Sequence, residues 1–299
     1  MSKPSNPDFA EPAQRNFNGK TALLFGGAKG IGKSVAQEWA RRGARMAIAD
    51  IDAEAADETA RAIVEAGGSA LPIKADVTET SSVEQAFAEA TAALGEPDIV
   101  MANVGAIVNG HPQDIPFAEW QRIFELNYWG ALRIIQHALP AFLARKAGHI
   151  VTTASFAGLY PYAASRVPYA SAKAAVISLS EQLALYCEPQ GIRVTCLIPG
   201  PVMTGVMDTM TTWTQDCPMR GPGSELELML PQDVATVLAD AMEAGAILVP
   251  SDRKAFDIVR RWADDPDGFI RGKIAEFERG ERGAPQVPDH IRQMLASSR

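Results

Sequence analysis

Tyr169 and Lys173, four positions apart in the run PYASAKAAV, are the clearest pair in this sequence that could move a proton. A spacing of four places both side chains on one face of a helix. An ammonium beside a phenol stabilises the phenolate, lowering the tyrosine pKa from about 10 and making it a usable general acid or base. The same spacing also suits an ordinary surface pair, so the position of the motif in the fold decides between the two interpretations.

A glycine-rich turn provides a second pattern with chemical meaning. Gly26, Gly30 and Gly32 follow an apolar, strand-like run and precede a helix-like segment, in LLFGGAKGIGKSVAQEW. Glycines permit a tight turn and let the backbone approach a pyrophosphate, whose charge then lies at a helix N-terminus. Asp50 closes the next strand-like run about 20 residues after Gly30, the spacing of a carboxylate that accepts hydrogen bonds from adenosine ribose hydroxyls. Together these residues predict a dinucleotide site; the alternative is a glycine turn with an unrelated aspartate.

The residues near Asp50 also indicate which dinucleotide is preferred. The Asp50 carboxylate would repel a 2′-phosphate, and the following residue, Ile51, brings no positive charge. We therefore predict NAD as the cofactor. Lys29, inside the glycine turn, could reach a 2′-phosphate, so NADP remains the less favoured alternative.

The elements that must hold these residues alternate regularly along the chain. The strand-like runs are residues 21–25, 45–50, 69–74, 98–103, 149–155, 192–198 and 246–251. Continuous apolar runs are typical of parallel strands buried on both faces, and the intervening segments are long enough for crossover helices. The pattern predicts an α/β fold with a doubly wound parallel sheet of the Rossmann type.

The chain divides into one domain with two additions. We predict a flexible N-terminal arm at 1–18, a catalytic domain at 19–251 with a substrate-covering segment at about 203–230, and a helical C-terminal extension at 252–299. The last segment alternates charged and apolar residues at helical spacing. It would either lie on the body as solvated helices or act as a lid.

Composition excludes several classes of function. The 299 residues are 47% hydrophobic and 21% charged, which is typical of a globular protein, and the net charge of −8 disfavours nucleic acid and anionic membranes. No run approaches the roughly 20 apolar residues that span a bilayer, and the first residues lack a signal-like apolar region. We expect a soluble, cytoplasmic protein that binds neither nucleic acid nor membrane.

Cysteine and histidine positions do not indicate a metal site. The three cysteines, Cys187, Cys196 and Cys217, form no CxxC pair, so we expect neither a disulfide framework nor a cysteine zinc site. The four histidines lack metal-ligand spacing. We predict no catalytic metal.

Seven motifs occur in order between about residues 18 and 250. They are FGGAKGIG at the glycine turn, Asp76 in ADVT, Asn103 and Gly105 in ANVG, Asn127 in ELNYWG, Ser155 in TTASFAG, the Tyr169 and Lys173 pair, and Pro199 to Thr204 in PGPVMT. With them, the chain resembles the classical short-chain dehydrogenases/reductases. It departs from that pattern at Phe25 in place of the usual threonine, at ANVG in place of NNAG, and at VPSD in place of VDGG after the last strand.

The resemblance implies catalytic roles for four of these residues. Tyr169 would exchange the proton with the substrate oxygen, and Lys173 would lower the pKa of Tyr169 and hold the nicotinamide ribose. Ser155 would hydrogen-bond the reacting oxygen, and Asn127 would help hold a water relay behind the lysine. Hydride transfer would occur at the nicotinamide, so the resemblance implies interconversion of an alcohol and a ketone.

The resemblance also implies a set of cofactor-binding residues. Asp76 and Val77 would flank the adenine, and Val202 and Thr204 would lie near the carboxamide. The full set is Gly26, Lys29, Gly30, Ile31, Gly32, Asp50, Ile51, Asp76, Val77, Asn103, Gly105, Tyr169, Lys173, Pro199, Gly200, Val202 and Thr204. A homodimer or homotetramer is implied as well, formed through the helices at about 116–145 and 167–189.

Methionines mark the segment expected to cover the substrate. Half of the ten methionines lie between Met203 and Met229, and flexible thioethers suit an adaptable apolar wall. The expected pocket residues are Phe156, Tyr162, Met203, Met207 and Trp213, with Tyr160 as further aromatic surface. Only Arg220 offers a positive charge there, so we expect a neutral, apolar secondary alcohol or its ketone, aromatic, alicyclic or steroid-like. Methionines that merely pack this segment against the body are the alternative.

Three functional hypotheses remain open on the sequence. The first is an NAD-dependent alcohol dehydrogenase or ketoreductase. Within enzymes, a 3-oxoacyl-thioester reductase or a cyclic diol dehydrogenase fits the same motifs. A dinucleotide-sensing or scaffold protein is a different class, but it would be expected to lose Ser155, Tyr169 or Lys173, and all three are present.

Overall fold

A computed structural model describes residues 16–205 and 210–297 as an α/β fold. The strands are β1 (Thr21–Phe25), β2 (Arg45–Asp50), β3 (Ser69–Lys74), β4 (Ile99–Ala102), β5 (Val108–Asn109), β6 (Gly148–Thr153), β7 (Ile192–Ile198), β8 (Thr211–Thr212) and β9 (Leu248–Pro250). The helices are α1 (Gly30–Arg41), α2 (Ala53–Glu65), α3 (Thr80–Leu94), α4 (Phe117–Phe124), α5 (Gly130–Arg145), α6 (Phe156–Leu159), α7 (Val167–Cys187), α8 (Pro231–Ala244), α9 (Lys254–Asp264), α10 (Pro266–Glu278) and α11 (Asp289–Ser297). The predicted N-terminal arm lies almost entirely outside the described residues.

Seven strands form one parallel sheet in the order β3, β2, β1, β4, β6, β7, β9. The chain moves outward from β1 to β3, then returns to pair β4 on the other side of β1. That reversal between β1 and β4 opens a crevice at the carboxyl ends of the strands, where doubly wound sheets bind their ligands. The predicted doubly wound parallel sheet is therefore confirmed.

Helices cover both faces of this sheet. Helices α1, α2 and α8 pack on one face, where Trp39 and Leu238 are fully buried. Helices α3 and α5 and the end of α7 pack on the other, around Phe87 and Ile134. Because apolar side chains of the central strands are buried on both faces, the strands read as continuous apolar runs in the sequence.

Strand boundaries differ slightly from the predicted ones. Strand β4 covers 99–102 instead of 98–103, β6 covers 148–153 instead of 149–155, and β9 covers 248–250 instead of 246–251. The chain leaves β6 early because Ser155 already caps α6, its hydroxyl accepting a hydrogen bond from the Ala157 amide. A two-stranded sheet of β5 and β8 was not predicted, since two-residue strands carry no periodicity.

The C-terminal part is helical and is tied to the segment that precedes α8. The Gly221 amide donates to the Arg282 carbonyl at 2.7 Å, and the Gln286 amide donates to the Leu226 carbonyl at 2.8 Å. Pro285, between these two bonds, lines the large cavity described below. The extension thus supplies part of a cavity wall. None of the described helices is long and apolar enough to cross a membrane.

Candidate active site

One cavity of about 750 Å³ lies at the carboxyl ends of the central strands. It is lined at one end by the glycine turn and Asp50, and elsewhere by Ser155, Tyr169 and Lys173. The residues expected from the sequence to bind cofactor that line it are Gly26, Lys29, Gly30, Ile31, Asp50, Ile51, Asp76, Val77, Asn103, Gly105, Tyr169, Lys173, Pro199, Gly200, Val202 and Thr204. Gly32 lies behind this lining. The fold therefore brings the two sequence patterns into a single cavity.

The backbone of the glycine turn has a conformation and a close packing that favour glycine over residues with a Cβ. Gly26 has a φ of +77° and Gly30 a φ of +54°, both in the left-handed region that favours glycine. A Cβ on Gly32 would lie 1.9 Å from the Gly26 carbonyl oxygen. The turn thus folds tightly against the start of α1, and a helix N-terminus is a favourable position for an anion.

Asn103 braces this turn from the neighbouring strand. Its side-chain amide donates to the Gly26 carbonyl at 2.9 Å, and its carbonyl oxygen accepts from the Thr153 hydroxyl at 2.9 Å. The brace is present although the sequence has ANVG where the family pattern has NNAG. Position 103 therefore fixes the turn relative to β4 and β6.

Two aspartates surround the end of β2. The Asp50 carboxylate accepts from the Ala28 and Asp52 amides, both at 3.1 Å, which aims it toward the glycine turn. Lys29 donates to Asp52 at 2.6 Å, and this hydrogen bond is the main reason that the pKa of Lys29 is raised. Asp52, which was not predicted from the sequence, thus binds Lys29, the residue that made NADP an alternative cofactor. Ile51 is 63% exposed on the cavity rim.

Asp76 and Val77 form the next part of the rim. The Asp76 carboxylate accepts from the Thr78 amide and hydroxyl at 2.9 and 2.8 Å. These bonds fix the turn between β3 and α3. Val77 is buried and lines the cavity with its apolar side chain.

Tyr169 is buried near the start of α7 beside Ser155 and Arg166. Burial raises the pKa of Tyr169, while a hydrogen bond with Ser155 and the charge of Arg166 act in the opposite direction. The net direction is opposite to the lowering that the sequence led us to expect from Lys173. The Lys173 ammonium lies 5.9 Å from the centre of the Tyr169 ring, and burial outweighs the charges around the phenol.

Lys173 is buried one helical turn after Tyr169, with 3% of its surface exposed. Its ammonium donates to the Thr153 carbonyl at 2.8 Å. Burial lowers the pKa of Lys173 to about 8. The side chain is therefore mostly charged at neutral pH and is held at the end of β6.

Asn127 lies behind the lysine in a π-helical turn, Glu125–Trp129, between α4 and α5. Its side-chain amide donates to the Ala106 and Ile123 carbonyls at 3.0 and 2.9 Å, whereas its buried carbonyl oxygen has no partner. A Cβ on Gly105 would lie 2.7 Å from that oxygen and 3.1 Å from the Lys173 ammonium nitrogen. Single π-helical turns recur at functional sites because they redirect one side chain; here that side chain is Asn127.

The segment after β7 forms another wall. The Gly200 amide donates to the Ser251 hydroxyl at 2.9 Å, and a Cβ on Gly200 would lie 2.5 Å from the Phe156 ring. Ser251 belongs to the VPSD sequence that departs from the family pattern, and it fixes the position of this segment. Val202 and Thr204 follow along the cavity.

Only some of the residues expected to contact the substrate line the cavity. Tyr162 lines the cavity. Phe156 is fully buried beneath Gly200, and Met203 is half-buried outside the lining. Trp213 is 43% exposed at the β5 and β8 sheet, away from the cavity lining, because its amide donates to the Asn109 carbonyl. Met207 lies outside the described residues.

Other residues also form this wall, and three of them, Met219, Pro222 and Leu228, belong to the segment at about 203–230 that was predicted to cover the substrate. The others, Ile107, Leu126, Arg166 and Pro285, were not predicted to contact the substrate. Tyr160, expected as aromatic surface, is buried and donates from its hydroxyl to the Pro222 carbonyl at 3.1 Å. Among residues 16–205 and 210–297, no three His, Cys, Asp or Glu side chains come close enough to hold a metal ion.

Comparisons with known proteins agree with this geometry. Residues 20–215 match the family described as short chain dehydrogenase. The cis-4-hydroxycyclohexanecarboxylate dehydrogenase of Sinomonas cyclohexanicum is 34% identical over 269 residues, which are 88% of this chain and 97% of that protein. The hydroxynaphthalene reductase-like protein Arp2 of Metarhizium anisopliae (strain ARSEF 549) is 33% identical over 81% of this chain and 88% of its own length.

Solved structures have the same fold. A 3-ketoacyl-(acyl-carrier-protein) reductase from Brucella melitensis complexed with NADH is 26% identical, with a TM-score of 0.68 over 79% of this chain and 99% of that chain. A short chain dehydrogenase/reductase from Burkholderia phymatum in complex with NAD has a TM-score of 0.74 at 23% identity, covering 91% of this chain and 99% of that chain. The second likeness concerns the fold alone.

Proposed function

The chain belongs to the short-chain dehydrogenase family, and from that premise we propose that it is an NAD-dependent oxidoreductase that interconverts a secondary alcohol and a ketone. The observation that supports this most is that one cavity is lined by both the Ser155, Tyr169 and Lys173 side chains and the glycine turn with Asp50. Proteins of this family use a nicotinamide cofactor and act on small molecules. The identity of the cofactor and the roles of the residues are our proposal.

The cavity fits a nicotinamide dinucleotide. Gly32 packs so closely against the Gly26 carbonyl that no Cβ fits between them, and the turn therefore lines the cavity at the N-terminus of α1, where an anion is favoured. We assign the adenosine ribose to Asp50, because its carboxylate is fixed by two backbone amides and would repel a 2′-phosphate. Lys29 does not offset that repulsion, since its ammonium is paired with Asp52. These contacts favour NAD over NADP.

Tyr169 is the proposed proton donor and acceptor. Its raised pKa keeps the phenol protonated at neutral pH, which is the form that gives a proton to a ketone oxygen. Ser155 would hydrogen-bond the same substrate oxygen and hold it against the phenol. A bound nicotinamide supplies the hydride acceptor or donor, while the chain supplies orientation and the proton.

Lys173 and Asn127 would replenish that proton. The Lys173 ammonium is anchored on Thr153 and is mostly charged at neutral pH. The unpartnered Asn127 oxygen is buried beside Gly105, close to that ammonium. We propose that a water between the two carries protons to Tyr169 in ketone reduction and away from it in alcohol oxidation, because a buried acceptor without a protein partner is a site where an ordered water is expected.

The proposed substrate has an apolar ring body. Ile107, Leu126, Met219 and Leu228 give the cavity apolar surface near the reacting groups. The two named relatives carry a hydroxylated cyclohexane ring and a hydroxynaphthalene in their names. Both observations support an alicyclic or aromatic alcohol as the substrate.

A panel experiment tests this function. Purified protein is mixed with NAD or NADP and with cyclohexanols, hydroxylated cyclohexanecarboxylates, hydroxysteroids and cyclic diols, and the absorbance of reduced nicotinamide is followed. We expect turnover of at least one ring alcohol, with a higher kcat/KM for NAD than for NADP. We also expect Asp50→Ser to reduce that preference, with Asp57→Ser on the exposed face of α2 as the control. A higher kcat/KM for NADP in the unmodified protein would contradict the cofactor assignment.

We also propose a homodimer or homotetramer. Phe117 on α4 and Leu185 and Tyr186 on α7 are apolar or aromatic and exposed, and helices near 116–145 and 167–189 are those expected at the interface. Light scattering coupled to gel filtration tests this proposal, and a monomeric mass would contradict it. The cytoplasmic location expected from the sequence stays a prediction.

A further inference from the structure

Arg166 places a positive charge in the wall of the cavity. It is the residue directly before α7, three positions from Tyr169, and only 9% of its surface is exposed. The Ala170 amide donates to the Arg166 carbonyl at 2.9 Å, so the first turn of α7 fixes the backbone of this residue relative to Tyr169. The Arg166 side chain therefore starts from a backbone position that is fixed relative to Tyr169.

The guanidinium has neutral neighbours. One terminal nitrogen donates to the Arg220 carbonyl at 2.5 Å, the guanidinium also forms a hydrogen bond with the neutral Tyr162 hydroxyl, and its carbon lies 5.5 Å from the centre of the Tyr162 ring. The buried Nε has no hydrogen-bond partner. Within residues 16–205 and 210–297, no carboxylate forms an ion pair with Arg166.

Other partly buried arginines of this chain have carboxylate partners. Arg42, whose side chain is 14% exposed, contacts the carboxylates of Glu38, Asp240 and Glu243. Arg133 contacts Glu125 at 2.5 Å. A buried guanidinium without an anion is costly, because desolvation of the charge is not repaid. Arg166 is thus a charge for which the described part of the chain provides no counterion.

We propose that Arg166 binds a carboxylate of the substrate, so that the enzyme acts on hydroxy acids and oxo acids with an apolar ring. This inference rests on the proposed function and names the substrate class of that site. A guanidinium presents N–H donors in a planar fork that matches a carboxylate in two parallel hydrogen bonds. A carboxylate held by Arg166 would fix the far end of the ring while the hydroxyl carbon faces Tyr169. This differs from the neutral substrate expected from the sequence.

Arg220, the arginine singled out in the sequence analysis, has a structural role at the same wall. Its guanidinium donates to the Phe277 carbonyl at 3.1 Å and to the Glu281 carbonyl, and it lies 4.6 Å from the centre of the Phe277 ring. These contacts hold the C-terminal extension against the cavity. Arg166, with an unpartnered buried nitrogen, is the residue left to bind an anion.

The test compares an acid with its neutral analogue. The probes are 4-hydroxycyclohexanecarboxylate and the matching carboxamide, assayed with NAD in the unmodified protein, in Arg166→Met and Arg166→Lys, and in Arg271→Met as a control on an exposed α10 residue. We expect Arg166→Met to lower kcat/KM for the acid roughly 100-fold more than for the carboxamide, because an effect of the lost charge on Tyr169 is shared by both probes. Arg166→Lys should restore part of the loss, and Arg271→Met should change neither. Equal losses for the acid and the carboxamide would overturn the proposal.

The unmodified protein offers a test that does not depend on how the variants fold. It should prefer the acid to the carboxamide by roughly 100-fold in kcat/KM, and equal use of the two would overturn the inference.

A binding measurement separates this inference from the proposed function. Calorimetry follows cyclohexanecarboxylate, and separately inorganic phosphate, binding to the protein saturated with NADH. We expect cyclohexanecarboxylate to bind the unmodified protein and Arg271→Met but not Arg166→Met, with the affinity for NADH unchanged. If no alcohol in the panel is turned over but this pattern holds, the proposed function fails and the carboxylate site stands. Equal affinity for phosphate, or a parallel loss of NADH affinity, would overturn the carboxylate site itself.

Discussion

Replacing Lys173 with methionine should make the protein more stable at neutral pH while it abolishes the proposed catalysis. Lys173 is 3% exposed, and burial lowers its pKa from 10.5 to about 8. At about 1.4 kcal/mol per pKa unit, holding the ammonium inside the folded chain costs about 3 kcal/mol at pH 7. The hydrogen bond to the Thr153 carbonyl returns about 1 kcal/mol of that cost. The variant should therefore gain about 2 kcal/mol in the free energy of unfolding.

The stability difference between Lys173→Met and the unmodified protein should depend on pH. Below pH 8 the lysine is charged in both the folded and the unfolded chain, so the full cost is present. Above pH 8 the folded chain releases the proton while the unfolded chain keeps it up to about 10.5, so the cost shrinks by about 1.4 kcal/mol per pH unit. The advantage of Lys173→Met should thus decrease between pH 8 and pH 10.

Urea unfolding followed by circular dichroism at pH 7, 8, 9 and 10 measures this difference. Lys74→Met, at an exposed position at the end of β3, is the control and should show no comparable gain. The reasoning would be refuted if Lys173→Met were less stable than the unmodified protein at pH 7. A gain that stayed constant from pH 7 to pH 10 would refute it as well.

Substitutions at the glycine turn, at the buried histidine and behind the lysine test other parts of the structure. Gly32→Ala should weaken NADH binding roughly 100-fold in a fluorescence titration, because a Cβ 1.9 Å from the Gly26 oxygen must displace the turn by about 1 Å. The control is Gly272→Ala, which has open space around it and should bind NADH normally. His149→Asn should reduce the fall in melting temperature between pH 7 and pH 5. Burial holds the pKa of His149 well below its usual value, so only the unfolded chain takes up the proton in this range. An unchanged dependence of melting temperature on pH would contradict this. Asn127→Ala should lower kcat at least about 10-fold and leave the KM for NAD within about 2-fold, and a change confined to KM would rule out the relay role.

Patterns with a fixed spacing were predictable from the sequence. The doubly wound sheet follows from apolar runs that alternate with amphipathic segments, because both features arise from burial on two faces. The glycine turn and the pair of Tyr169 and Lys173 are local motifs, so their positions relative to β1 and α7 could be stated in advance. Their meeting in one cavity then follows from the parallel topology.

Contacts between distant parts of the chain were not predictable. The Ser251 hydroxyl that fixes Gly200, and the backbone hydrogen bonds that bring Pro285 to the cavity, depend on tertiary packing that leaves no periodic signal. In the sequence, Arg166 is simply one charged residue before a helix. Only its burial and its lack of a carboxylate partner among the described residues distinguish it from a surface arginine. The trend of the Tyr169 pKa likewise depends on burial, which spacing cannot report.

Steady-state kinetics and cofactor titration of Tyr169→Phe test the central claim most directly. This substitution removes one hydroxyl and keeps the buried ring. We expect NADH to bind with an affinity within about 2-fold of the unmodified protein, while kcat for the best ring alcohol falls by at least about 1,000-fold. Turnover within 10-fold of the unmodified protein, with NADH binding intact, would contradict the assignment of proton transfer to Tyr169.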